Sequence, residues 1–166
     1  DDKYHQYLGN AIPKVNVGWS NTLSYKGFDL TMQFTGQFGF KILNEARAYY
    51  ENNAVVYNRL KSAADLQYGQ NVLSIAQKQT FVSYYLENGN FVKLSNLTLG
   101  YTVPLKQNKY IKNAYVYLSG NNLFTITSYK GLDPELSNGD PQSSGIDWRD
   151  KYPTIRTFTL GANLTF

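Results

Sequence analysis

The chain has 166 residues, a formal net charge of +4, no Cys and a single His. Without Cys there can be no disulfide, thiolate metal site or Cys nucleophile, and the 16 basic residues are scattered without a dense patch, which argues against nucleic acid. No run approaches about 18 consecutive apolar residues, so a transmembrane helix is excluded, whereas the alternating strands of a membrane barrel would escape that test.

The N-terminal residues 1–13 are polar, contain Gly9 and Pro13, and read as a loop. The chain opens on Asp1-Asp2-Lys3, as a piece cut from a longer polypeptide would. His5, in this loop, is the only residue that could serve a Ser-His-acid triad, and nothing else supports catalysis, so the reading is that of a protein that is not an enzyme.

From Val15 the pattern alternates with period two, the signature of a strand with one apolar and one polar face. Val15, Val17, Trp19, Leu23 and Tyr25 share one face; after Lys26-Gly27, Phe28, Leu30, Met32, Phe34, Phe38 and Phe40 continue it. A two-residue turn, with positive φ at Gly27, pairs Tyr25 with Phe28, Trp19 with Phe34, Thr22 with Thr31 and Ser24 with Asp29. Both faces agree on that register. The expected strands cover 15–25 and 28–40.

Residues 41–90 interrupt the alternation. KILNEARAYYENN (41–53) and YNRLKSAADLQYG (57–69) have helical composition, and Asn88-Gly89 is a tight-turn signal. A loop this long in a compact domain is usually functional or disordered. A third strand is expected over 91–103, with a β-bulge near Ser95 where the phase changes. A short basic turn (104–112) leads to a fourth strand over 113–127, in which Leu123 breaks the pattern. A second long loop, 128–153, precedes the last strand, 156–166. There Phe158, Leu160, Ala162, Leu164 and Phe166 alternate with Thr157, Thr159, Gly161, Asn163 and Thr165.

The connections alternate between short and long, as periplasmic turns and extracellular loops do in an outer-membrane barrel. Five strands are too few to close one, so the chain reads as the C-terminal part of a larger antiparallel transmembrane β-barrel, with loops 41–90 and 128–153 outside the cell. Terminal Phe166, with Phe158, Leu160 and Leu164, has the form of a barrel-assembly signal. The polar strand positions Asp29, Thr31, Gln33, Asn96, Thr98, Tyr115 and Tyr117 would line the lumen. Loop aromatics Tyr49, Tyr50, Tyr57, Tyr68, Trp148 and Tyr152 are the candidates for substrate or lid contact, because flat rings stack on sugars and pack on peptides. Asp133, Glu135, Asp140, Asp147 and Asp150 could hold Ca²⁺, but they lack EF-hand spacing and read as a solvated acidic loop; no metal or other cofactor is expected. The competing architecture is a soluble, secreted β-sandwich that binds carbohydrate, in which the apolar face would pack on a second sheet.

The runs SNTLSYKGFDLTMQFTGQFG (20–39), ENGNFVKLSNLTLGYTVP (87–104), YVYLSGNNLFTITSYKGLDPE (115–135) and YPTIRTFTLGANLTF (152–166) resemble, in order, the C-terminal end of SusC/RagA-type TonB-dependent outer-membrane transporters. Residues 41–86 carry no clear match. The resemblance implies a 22-stranded barrel with an N-terminal plug, set in outer-membrane lipid and powered through TonB. It also implies import of glycan or peptide fragments with a SusD-type surface lipoprotein as lid. The plug, the TonB-binding segment and the signal peptide are expected outside these residues.

Overall fold

The computed structural model describes residues 6–51, 58–64, 67–68, 71–72, 83–105, 110–136 and 144–166. In chain order the elements are β1 (Val15–Tyr25), β2 (Phe28–Phe38), β3 (Lys41–Asn44), α1 (Glu45–Tyr50), β4 (Gln67–Tyr68), β5 (Asn71–Val72), β6 (Leu86–Asn88), β7 (Phe91–Val103), β8 (Asn113–Thr127), β9 (Ile146–Asp147) and β10 (Thr157–Thr165), with single 3-10 turns at Lys61–Ala64 and Ser83–Tyr85. They fall into two compact units.

One unit comprises Val15–Gln37, Phe91–Thr127 and Thr154–Phe166. It is a five-stranded sheet in the order β1-β2-β7-β8-β10, in which β7 pairs antiparallel with β2 and β8, and β8 with β10. The β1–β2 turn has positive φ at both Lys26 (48°) and Gly27 (85°). That geometry matches the twist of a tight hairpin. Its register is visible in side chains: Trp19 and Phe34 rings lie 5.5 Å apart, Thr22 and Thr31 hydroxyls 3.1 Å apart, and Ser24 donates a short hydrogen bond to Asp29. Two irregularities interrupt the ladder. Ser95 is the extra residue between the β2 pairings of Leu94 and Asn96. On β8 the extra residue falls at Asn122-Leu123, with Asn122 at φ 53°. That bulge explains why Leu123 breaks the alternation: its side chain lies against Gly120 instead of joining the apolar row.

The sheet's apolar face is bare. Val17, Trp19, Leu23, Phe28, Leu99, Leu118, Phe124, Ile126, Phe158 and Leu160 are all exposed, Leu160 at 82%. β2 ends at Phe38, two residues before the expected 40, because Gly39 turns the chain at φ 80° and Phe40 is buried in the other unit. The last strand is Thr157–Thr165, one residue shorter at each end than expected.

The second unit comprises residues 1–14, 38–90 and 128–153. KILN forms a strand rather than the helix its composition suggests. β3 pairs antiparallel with β6 and parallel with β9, so both long connections contribute to one three-stranded sheet. Leu43 N–H donates to Gly145 O at 2.7 Å, and Gly145 adopts φ 79°. Burial of Ile42 and Asn44 against these partners outweighs a helical propensity that is weak over so few residues. The helix that does form, α1, has six residues, and the 57–69 stretch contributes, among the described residues, the 3-10 turn and β4, which pairs with β5 beyond it. Phe40, Ile42, Ala48, Ala63, Tyr85 and Tyr129 form the buried core.

Candidate functional site

The site of interest is built on α1, β6, β9 and the segment after β8. Asn44 ends β3 and caps α1, its Oδ1 accepting from Arg47 N–H at 2.9 Å. This fixes the first turn and sets Arg47 among acidic and aromatic partners. Arg47 Nη1 donates to Glu87 Oε1 (2.9 Å), Nη2 donates to Tyr84 Oη (2.8 Å), and Nε lies 2.7 Å from Glu51 Oε2 as an ion-pair contact. Its guanidinium also stacks 4.7 Å from the Tyr84 ring centre. Burial opposes the charged form of Arg47, but hydrogen bonds to Glu87 and Glu51 prevail, and its pKa rises above the ordinary value. Glu87 serves two further donors: Asn44 Nδ2 at 3.3 Å and, through Oε2, the Lys130 backbone N–H at 2.8 Å. One carboxylate thereby ties the first long connection to the second.

A second buried polar pair lies alongside. Tyr129 Oη donates to Asp147 Oδ2 at 2.6 Å, and both residues are buried. Among the described residues Asp147 Oδ1 accepts no hydrogen bond, and Lys151 Nζ lies 3.9 Å from it. Burial raises the Asp147 pKa; Tyr129 and Lys151 counter it, while Asp133 and Glu87 add to the rise. Burial, then the Asp147 carboxylate, push the Tyr129 hydroxyl far above its usual range, so it remains a donor at any physiological pH.

Between these pairs is a cavity of about 400 Å³ whose apolar walls include Tyr50, Leu60, Leu132 and Trp148. Lys130 and Arg149 also line it; neither side chain meets a carboxylate among the described residues, and the Arg149 guanidinium stacks 4.4 Å from the Tyr49 ring. Aromatic walls and unpaired cations suit binding by stacking and ion pairing.

Of the loop aromatics expected from sequence, Tyr50 and Trp148 line this cavity, and Tyr49 packs edge-on against Tyr50 at 5.1 Å. Tyr152 is exposed and does not line it. Tyr57 and the Tyr68 side chain lie outside the described residues, as do His5 and Asp140. Asp133 Oδ1 caps a local turn by accepting from Glu135 N–H at 2.9 Å, and Asp150 is exposed. Among the described residues no three His, Cys, Asp or Glu side chains converge as metal ligands. Sequence reasoning did not single out Arg47, Glu51, Glu87 or Tyr129 for this site. The Arg47/Glu51 spacing of four on a helix and the Asn44 cap were available signals; the Glu87 and Tyr129 contacts arise only from long-range pairing.

On the sheet, Asn96 Nδ2 donates to Ser119 Oγ (3.0 Å) and Asn121 Oδ1 (2.8 Å), and Thr98 Oγ1 bonds Asn96 Oδ1 (3.0 Å) and Ser119 Oγ (2.8 Å). Tyr115 covers Gly100, Tyr117 covers Gly161, and the two rings stack 6.0 Å apart. Asp29 and Thr31 belong to the β1–β2 ladder described above, and Gln33, opposite Asn96, is exposed. Phe158, Leu160, Leu164 and Phe166 are all exposed.

No protein-family model matches the chain. It is 31% identical to the TonB-dependent receptor P3 of Formosa agariphila, over 96% of this chain and 17% of the receptor. It is 29% identical to the TonB-dependent receptor SusC of Bacteroides thetaiotaomicron, over 92% of this chain and 15% of that protein. In structure it matches the RagAB peptide importer in the closed-closed state with a TM-score of 0.81 and 28% identity, over 97% of this chain and 18% of that one. It matches the open-open state with a TM-score of 0.76. The chain thus spans less than a fifth of the relatives it matches, and those relatives are named as receptors and importers, not enzymes. In sequence and in fold, the chain belongs to the SusC/RagA type of TonB-dependent receptors.

Proposed function

We propose that this chain supplies wall strands and two outward loops to an outer-membrane importer of glycan or peptide fragments, driven through TonB and served by a SusD-type surface lipoprotein. The observation that carries the reading is the bare apolar face of an antiparallel five-stranded sheet. In water so large an apolar surface is an aggregation hazard, whereas in a bilayer it is the required outer surface. The order of the sheet leaves β1 and β10 at its edges, where further strands of a 22-stranded barrel would pair. The opposite face, with Asp29, Thr31, Gln33, Asn96, Thr98, Tyr115 and Tyr117, then lines the lumen. Tyr49, Tyr50 and Trp148 are assigned to contact with cargo or lid.

The test is to isolate the polypeptide carrying this sequence from its native envelope. The expected result is a protein several times larger than this chain, extracted only with detergent, whose mobility on gels changes on heating and which brings down a surface lipoprotein. Recovery from the soluble fraction without detergent would overturn the reading.

A further inference from the structure

In the unit that holds the long connections, a second cavity of about 280 Å³ is lined by Tyr7, Asn10, Lys14, Lys41, Asn88 and Asn90, closed by Gly9, Gly39 and Phe40. Its lining is unusual in what it lacks. Lys14 and Lys41 both line it and make no ion pair or side-chain hydrogen bond among the described residues. Each amide oxygen accepts one backbone N–H: Asn10 Oδ1 from Ile12 (3.0 Å), Asn88 Oδ1 from Asn90 (3.2 Å) and Asn90 Oδ1 from Gly39 (2.7 Å). The Asn10 and Asn88 N–H₂ groups are further donors on the lining. The lysine stems are seated by glycine backbone. A Cβ on Gly9 would stand 2.9 Å from Lys41 Cγ, and one on Gly39 would stand 3.1 Å from Lys14 Cβ. Both glycines take positive φ, 141° and 80°. The cavity is therefore an assembly of donors with fixed stems and unmet positive charge.

We infer that this cavity binds the anionic group of an acidic oligosaccharide, a carboxylate or sulfate ester. The inference rests on the importer reading and names the chemistry of its cargo. An oxyanion only accepts hydrogen bonds, so it can pair with the two lysines and with the Asn10 and Asn88 N–H₂ groups that line the cavity. Tyr7, 85% exposed on the cavity lining, offers a flat ring for the C–H face of a neighbouring sugar.

The experiment uses the full receptor in detergent and titrates it with an oligogalacturonate, a maltooligosaccharide of equal length and an oligoglutamate of equal charge. The expected result is that the oligogalacturonate binds most tightly, more weakly as salt rises, and that Lys14→Met with Lys41→Met weakens it about tenfold or more while heat-modifiable mobility is retained. Gly39→Ala, which displaces the Lys14 stem, should weaken it in the same direction. Equal binding of the neutral sugar, equal binding of the oligoglutamate, or an affinity unmoved by the double lysine variant would each overturn the inference. Membrane extraction and lipoprotein capture, which test the importer reading itself, are unaffected by these outcomes.

Discussion

Arg47 is the residue on which the loop unit's polar interior depends. Its side chain is 11% exposed, Glu51 2% and Glu87 10%, and it is the one cation bonding both carboxylates among the described contacts. Removing one partner of a buried ionic cluster is costlier than never building it, because the survivors keep their charge without compensation. Arg47→Ala is expected to destabilise the unit by about 3–5 kcal/mol, read as faster hydrogen exchange at the β3 amides; unchanged exchange would refute it. Asp147 behaves in the opposite sense. Its pKa is raised on folding, so the native state holds the proton more tightly than the unfolded chain does. Stability is therefore greater below the ordinary carboxylate range and declines as pH rises through the raised value. Asp147→Asn keeps an acceptor for Tyr129 and removes the charge. Its exchange should match the parent in acid and become slower than the parent at neutral pH. A difference that shrinks with rising pH would show the sign to be wrong.

At the scale of the element, β10 separates two environments along one strand. Leu160 pairs with Leu118 and Thr159 with Ser119 in the β8 register, so neighbouring positions contribute to opposite faces. If the apolar face meets lipid, Leu160→Arg should cost about 2–4 kcal/mol, whereas Thr159→Arg should be mild. Refolding yields into vesicles would measure both, and equal tolerance would count against the lipid-facing assignment. The strands were legible in the sequence because a single rule, period two, writes both faces at once. The Lys26-Gly27 turn could be placed from the agreement of the two faces across it. Leu123 was legible only as an anomaly, since a bulge announces itself as a break in phase without stating which residue is extra. The helical composition of 41–53 is met only over Glu45–Tyr50, and its first four residues form a strand for the complementary reason: Ile42 and Asn44 are committed by partners more than forty residues distant in sequence, Glu87 and Asp147, and local composition carries no trace of such partners. The same holds for the cavity, where Tyr50 and Trp148 could be named from residue type but their meeting could not.

At the scale of the whole molecule, the sheet unit and the loop unit are stabilised by different means. The sheet relies on backbone ladders, hydroxyl and amide pairs about its bulges, and tyrosines laid over glycines. The loop unit relies on a small apolar core and on buried charge. Backbone ladders tolerate changes of side chain, whereas a satisfied ionic cluster does not. The match to the P3 receptor nonetheless covers 96% of the chain, so it extends into residues 41–86, where the runs read from the sequence carry no clear match.

The parallel pairing of β3 with β9, together with the Glu87 bond to the Lys130 backbone, has an evolutionary corollary. Two stretches far apart in the gene are one exchangeable cassette. A chimera that imports residues 40–90 from another receptor without residues 128–153 would receive half of a sheet and half of a charge cluster. If the cavity linings contact cargo, as proposed above, new cargo preference should arise by recombination that moves both stretches together, or by substitutions at those linings that leave Arg47, Glu87 and Asp147 in place.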